Sequence, residues 1–466
     1  MKRGTATALV ACLLPFVAST GASAGAIEDH YGMWLGKISA PNLPTLSTGV
    51  ELFARADGSL GANWASPQQG IFGFPADHVS VTGNLVEFRL AGFGITFKLR
   101  ADPDALVGEF RQGNLMVPVE FKRVSSFDEP LRPQTPKEPF PYQVDELVVT
   151  AKDGTLLAGT LTRPRSSRAV VAVVLLPGAG PADRDESMMG HHPFAVLADY
   201  LTRQGIAVYR FDKPGVGRST GAFAAETNST QAEDALAAVN AVRGQPGISR
   251  VGVIGHSEGG LIAAKLAAEH PKAVDFVISL AGPGLGGLDL MIVQDRVQFE
   301  RGGLPPDQAR MLEEYGKRFY TIIISNEDVE ARMSALQKMF SSYSDADRQV
   351  IQQHSTGSLS FVNARSPDLR DVLMSNVAQY WRAVRCPTLA LNGTLDTQVP
   401  AQEDLQGIRA GLAAAGNRAS QIEALPNLNH FFQTAITGLG TEYPTISETI
   451  APVALQRIAK FVQSQR

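Results

Sequence analysis

Residues 255–259 read Gly-His-Ser-Glu-Gly. The apolar run Val251-Gly252-Val253-Ile254 precedes them, and Gly260 followed by LIAAKLAAEH comes after. That is a strand feeding a helix through a very tight turn. The glycines two places before and two places after Ser257 admit backbone that such a turn brings close. A hydroxyl held there can act as a nucleophile, and the start of the following helix favours negative charge beside it. A serine that merely caps a helix would use the same residues. The difference lies in whether a base and an acid follow.

A serine hydroxyl is a weak nucleophile and needs a base oriented by an acid, which in this strand–turn–helix context come in the chain order serine, acid, histidine. Beyond Ser257 the histidines are His270, His354 and His430. His270 ends a helix before Pro271, and His354 lies in a helical stretch. His430 stands in Leu428-Asn429-His430-Phe431-Phe432, a loop after the last strand pattern. Asp371 and Asp404 sit in helical patterns, whereas Asp396 follows the strand TLALNG. Ser257, Asp396 and His430 are therefore the expected triad. The oxyanion of an acyl transfer also needs backbone donors. The N–H of Glu258 is one, and the loop Leu176-Pro177-Gly178-Ala179-Gly180 supplies the other, assigned to Ala179 with Gly180 one residue away.

The elements that must hold these groups read as a parallel sheet. DELVVTA and LLAGTLTRP form a hairpin around Asp153-Gly154. AVVAVVLLPG, IAVYRFD, RVGVIG, AVDFVISLAG and CPTLALNG are near-continuous apolar runs, as in strands buried on both faces. Helical patterns separate them: HPFAVLADYLTRQG, STQAEDALAAVNAVRGQ (capped by Ser229 or Thr230), LIAAKLAAEH and AQEDLQGIRAGLAAAG. QIEALPNLNH is a last strand and loop, and TISETIAPVALQRIAKFVQSQ reads as the closing helix. The alternation predicts a mostly parallel sheet with helices on both faces. It is interrupted over about 285–385 by a helical insertion, read as a cap whose apolar residues bound the acyl pocket.

Residues 25–127 are different: short alternating runs with turns at Asp57-Gly58 and Gly83-Asn84, which predict an all-β meander or small barrel-like domain. Residues 128–141, EPLRPQTPKEPFPY with its neighbours, carry five prolines and read as a stiff spacer. Residues 142–466 are then the catalytic unit.

At this point the chain resembles the α/β-hydrolase superfamily over about 142–466. Phe211-Asp212-Lys213-Pro214-Gly215-Val216-Gly217-Arg218-Ser219 is similar to the superfamily's D-x-R-G-x-G-x-S turn, and it lacks the G-x-G-x-x-G form of a nucleotide site. Pro177 to Asp185 resembles the H-G-S-G-P-x-D-R-D loop of a bacterial secreted esterase group close to serine aminopeptidase-like hydrolases. Pro177 replaces the usual histidine. The resemblance implies a serine hydrolase with a β-rich N-terminal domain.

Composition fits a globular chain: 466 residues, 44% apolar and 19% charged. Residues 1–24 have a basic start, an apolar run too short to span a membrane, and Ala22-Ser23-Ala24, a signal-peptidase pattern. Cleavage after Ala24 would export the protein, periplasmic or secreted. An acylated Cys12 is the competing reading. Cleavage leaves Cys386 alone, so no internal disulfide is expected, and 40 basic residues against 46 acidic, a net −6. No basic stripe and no 18-residue apolar run point to nucleic acid or a membrane span. Asp183-Arg184-Asp185 reads as a local salt-bridged loop rather than a metal site, and His191-His192 as a helix start that caps the helix or lines the cleft entrance rather than binding metal. The expected activity is hydrolysis of small-molecule carboxylic esters through an acyl-enzyme, without cofactor or metal. Two rivals are a peptidase with an acidic cluster (Glu313-Glu314, or Glu327 and Glu330) holding a substrate amine, and a binding module on a hydrolase scaffold. Oligomeric state is left open.

Overall fold

A computed structural model describes residues 25–466 except 42–43, 131, 166–168, 326–327, 356–358, 362 and 366. The expected leader, residues 1–24 with Cys12, lies outside the described residues.

The N-terminal unit opens with a four-residue helix, α1 (Gly25–Glu28), and then runs through nine strands: β1 (Gly32–Ile38), β2 (Leu46–Ala54), β3 (Leu60–Ser66), β4 (Ile71–Pro75), β5 (His78–Thr82), β6 (Leu85–Leu90), β7 (Ile95–Asp102), β8 (Ala105–Gln112) and β9 (Leu115–Val124). All pairings are antiparallel, in the order β4-β3-β2-β1-β9-β8-β7-β6-β5. The period-2 alternation sets one face inward, where Trp34, Phe88, Phe97 and Phe121 form a core of their own.

The second sheet holds β10 (Gln143–Thr150), β11 (Leu156–Arg163), β12 (Val170–Leu176), β13 (Ala207–Phe211), β14 (Ile248–His256), β15 (Val277–Leu280), β16 (Thr388–Gly393) and β17 (Ser420–Leu425). Their order is β10-β11-β13-β12-β14-β15-β16-β17. β10, β11 and β13 pair antiparallel, and the pairings from β13 onward through β17 are parallel. Helices α2 (Pro193–Arg203), α3 (Asn228–Arg243), α4 (Glu258–Glu269), α11 (Ala401–Ala414) and α12 (Pro452–Gln463) cover both faces, giving two apolar layers. The β-branched runs became strands because both of their faces are buried.

Between β15 and β16 lie α5 (Gly287–Arg301), α6 (Pro306–Ser325), α7 (Val329–Ser341), α8 (Asp345–His354), α9 (Pro367–Met374) and α10 (Val377–Trp381). The insertion has its own core of Leu312, Tyr315, Phe319, Tyr320 and Leu336.

Two local expectations are corrected and a third is extended. The cap of α3 is Thr227, not Ser229 or Thr230. Its hydroxyl accepts from the Thr230 N–H at 3.1 Å, while the Thr230 hydroxyl accepts from the Thr227 N–H at 2.8 Å. Helix α12 starts only at Pro452. Proline disfavours a helical residue before it, and the Thr449 and Ile450 N–H groups donate to the Gln134 side chain at 2.5 and 3.0 Å. The proline-rich segment, expected as a stiff spacer, is also bonded to the part that follows it. Arg132, 8% exposed, donates to the carbonyls of Ile446 (2.9 Å), Met189 (2.8 Å) and Pro444 (2.9 Å). The β2–β3 hairpin reaches the same unit, its Ala56 N–H donating to Arg218 O at 2.8 Å and Arg55 to Ser219 O at 2.9 Å.

Candidate functional site

Ser257 sits between β14 and α4 with φ +52° and ψ −122°, a left-handed conformation a non-glycine residue rarely holds. Close packing enforces it. A Cβ on Gly255 would lie 1.9 Å from Gly259 O, and one on Gly259 would lie 2.0 Å from Leu176 O. The elbow is thus wedged against the end of β12, and the Ser257 N–H donates to Leu280 O at 2.9 Å.

Asp396 and His430 meet directly. His430 Nδ1 donates to Asp396 Oδ2 at 2.8 Å, with side chains 3% and 0% exposed. The other carboxylate oxygen accepts the N–H groups of Gln398 (2.8 Å) and Val399 (2.9 Å), so all of the acid's bonding fixes its orientation. The two loops are stapled: Thr394 N–H donates to Leu425 O and Leu395 N–H to Leu428 O, each at 2.9 Å. Asn429 pins the turn that presents His430, accepting from the Phe431 and Gln433 N–H groups.

His256 ties the elbow to the histidine loop. Its Nε2 donates to His430 O at 3.0 Å, its Nδ1 meets Glu186 Oε1 at 2.9 Å, and its ring centroid lies 4.9 Å from that of His430. Burial opposes its charged form, but the Glu186 carboxylate and the His430 carbonyl outweigh it, and the pKa is raised. Glu186 Oε1 also accepts the Gly178 N–H at 2.7 Å. One carboxylate thus orients both the residue before the serine and the loop after β12.

Ser257, Glu258 and Ala179 line a cavity of about 190 Å³. Its other walls come from Leu261, Pro283, Leu285, Leu290, Gln294, Val372, Ser375, Gln398 and Val399, so the insertion's α5 and α9 close it. A larger hollow, about 700 Å³, lies on the β6–β9 sheet among Glu87, Lys98, Arg100 and Glu109, and shares no residue with this site. His270 caps the end of α4 and His354 ends α8, away from the cavity lining.

Two expectations change here. Of the two roles expected for His191 and His192, neither residue lines the cavity, while His192 stands at the N-cap position of α2 without a side-chain bond to the helix. His191, 1% exposed, bonds Thr449 Oγ1 at 2.9 Å, and burial lowers its pKa to about 4. His192 Nδ1 bonds Ser187 Oγ at 2.8 Å. The Asp183-Arg184-Asp185 ion pairs are long-range rather than local: Arg184 reaches Asp212 at 2.9 Å and Glu146 at 2.8 Å, and Asp185 pairs with Arg210. Among the described residues no cluster of three or more His, Cys, Asp or Glu could hold a metal.

Glu186, His256 and Lys213, whose Nζ donates to Gly178 O at 2.7 Å in the loop after β12, were missed beside the site. His256 was visible inside the five-residue motif. Lys213 was visible in the 211–219 turn, but as a turn residue. Nothing in the sequence pairs Glu186 with residue 256, since that contact spans 70 positions.

A family model described as "Serine aminopeptidase, S33" matches residues 191–433, more than half of the chain. Esterase EstD of Thermotoga maritima is 32% identical over 199 residues, which cover 42% of this chain and 45% of that protein. The chain thus spans under half the length of this curated relative. Among solved structures, an esterase from Pyrococcus furiosus aligns at TM-score 0.41 and 17% identity, over 72% of this chain and 97% of that one. A proline iminopeptidase from Mycobacterium smegmatis aligns at TM-score 0.42 and 17% identity, over 69% and 98%.

Proposed function

Because the chain belongs to the serine aminopeptidase S33 hydrolase family, we propose that it is a serine hydrolase that cleaves small carboxylic esters through an acyl-enzyme. The observation that supports this is a strained serine at a cavity, next to a His256 that is bonded to the backbone of His430, itself bonded to a fully buried aspartate. Ser257 Oγ attacks the acyl carbon while His430 Nε2 takes its proton. Asp396 keeps the other ring nitrogen protonated and stabilises the imidazolium. The Glu258 and Ala179 N–H groups receive the oxyanion. His430 then returns the proton to the alkoxide oxygen as the ester C–O bond breaks. A water, deprotonated by His430, attacks the acyl-enzyme, and acid and serine are released. Side chains, backbone and water supply every step.

Ester cleavage is favoured over aminopeptidase action by the cavity walls. Among the described residues, the one carboxylate lining them is that of Glu258, which faces Lys213. Glu313 pairs with Lys317 and Glu330 with Arg365 on the insertion's own helices, and Glu327 lies outside the described residues. A substrate amine at these described walls would meet only the Glu258 carboxylate, which already faces Lys213. Turnover of p-nitrophenyl esters against aminoacyl-anilides, with Ser257→Ala as control, tests the reading. Preference for anilides would replace it, and ester turnover surviving in Ser257→Ala would remove it.

A further inference from the structure

Lys213 has no part in the three-residue relay, yet its ammonium is buried where burial is costly. The side chain is 4% exposed, and Nζ donates to Gly178 O at 2.7 Å. That carbonyl and the Ala179 N–H are the two ends of one peptide group. Nζ also lies 3.5 Å from Glu258 Oε2, the side chain of the residue whose N–H is the other donor. The neighbouring peptide is held from the opposite side, because the Gly178 N–H is bonded to Glu186. Glu226 also faces Lys213, and the Phe223 ring lies 5.7 Å from Nζ.

We propose that Lys213 is a positioning residue for the oxyanion hole: its ammonium orients and polarises the Gly178–Ala179 peptide, and offsets the Glu258 carboxylate beside the developing negative charge. The inference rests on the assignment of Ala179 and Glu258 above. A cation on the carbonyl draws electron density toward oxygen and leaves the N–H end more positive, so it becomes a stronger donor in a low-dielectric site. Left unpaired, the Glu258 carboxylate would repel the oxyanion that its own N–H must bind. One lysine therefore serves both donors. Burial pulls the Lys213 pKa down, and the Glu258, Glu186 and Glu226 carboxylates oppose that.

The test is Lys213→Met in the full chain, with thermal melting to confirm folding. Removing an oxyanion donor outright costs about 10²–10³ in kcat, and weakening one should cost roughly 10–100-fold. KM for a p-nitrophenyl ester should stay within about threefold, because the ground-state carbonyl carries little charge. The inhibition constant of a trifluoromethyl ketone, whose serine adduct carries an oxyanion, should rise by the same factor as kcat/KM falls. A kcat within about threefold of the parent, or a lower kcat with unchanged inhibitor affinity, overturns the proposal. If Lys213→Met does not fold, Lys213→Gln is read by the same measurements. Ser257→Ala is run alongside. Turnover surviving there overturns the hydrolase reading itself, whereas a dead Ser257→Ala beside a fully active Lys213→Met overturns only the role of Lys213.

Discussion

At the scale of single residues, the site is set by what cannot be larger as much as by what reacts. Gly259→Ala places a methyl group about where Leu176 O already is. Backbone meets backbone, so no rotamer relieves it, and the variant should be recovered insoluble or with a much lowered melting temperature. Ser257→Ala, His430→Ala and Asp396→Asn should each fold like the parent and lose activity, the first two on the order of 10⁶-fold in kcat and the last on the order of 10⁴-fold. Groups acting as a unit lose non-additively, so Ser257→Ala with His430→Ala should be little worse than either alone. Near-parental turnover by His430→Ala sinks the relay. Ser257 was legible because its glycine-flanked turn joins a strand pattern to a helix pattern and an acid and a histidine follow it in order. Asp396 and His430 were legible only by elimination along the chain. The Glu186–His256 bond was not, since an ion pair between distant loops leaves no local pattern in either.

At the scale of elements, strands buried on both faces were the easiest to read, and segments shaped by tertiary contacts the hardest. The closing helix was drawn too long because the bonds that extend 446–451 come from Gln134, more than 300 positions earlier. The mouth of the cavity shows a related device. Asp404, fully buried at the start of α11, accepts the N–H groups of Gly284 (2.8 Å) and Leu285 (3.1 Å), the loop leading into the insertion. Burial raises its pKa to about 7, against those two bonds. A carboxyl raised in this way stabilises the fold fully below its unfolded value, and that stability is lost as pH rises through the folded one. The loss falls between roughly pH 4 and 7, at most about 1.4 kcal/mol per pH unit. Asp404→Asn cannot titrate, so its denaturation midpoint relative to the parent should climb over that window. Parallel pH profiles for the two proteins would contradict the assignment.

At the scale of the whole molecule, the segment 128–141 belongs with the hydrolase unit. A fragment 128–466 keeps the Arg132 and Gln134 bonds, and should turn over short esters within about tenfold of the parent, or 1.4 kcal/mol of barrier. A fragment 142–466 leaves the Pro444, Ile446 and Met189 carbonyls without those partners and should melt lower. Arg132→Ala should cost about 2–3 kcal/mol, read by denaturant unfolding. The expected leader makes a separate claim: mass spectrometry of the protein from an exporting host should find Gly25 first, a mass fitting acylated Cys12 would replace that, and an intact Met1 start would remove the leader. The change of periodicity near residue 142 was legible, but the clasp that Arg132 and Gln134 make on residues 444–450 was not, since proline content speaks only of stiffness. That clasp also fixes an order of events in time. Arg132 and Gln134 leave the ribosome some 300 residues before the 444–450 carbonyls and amides they bind, although the Met189 carbonyl follows Arg132 by only 57. The β unit can finish folding early, whereas the segment after it completes its docking only when the last turns of chain are made. A chain halted before residue 444 should therefore carry a complete N-terminal sheet beside an open seam, and protease should cut it at the seam first.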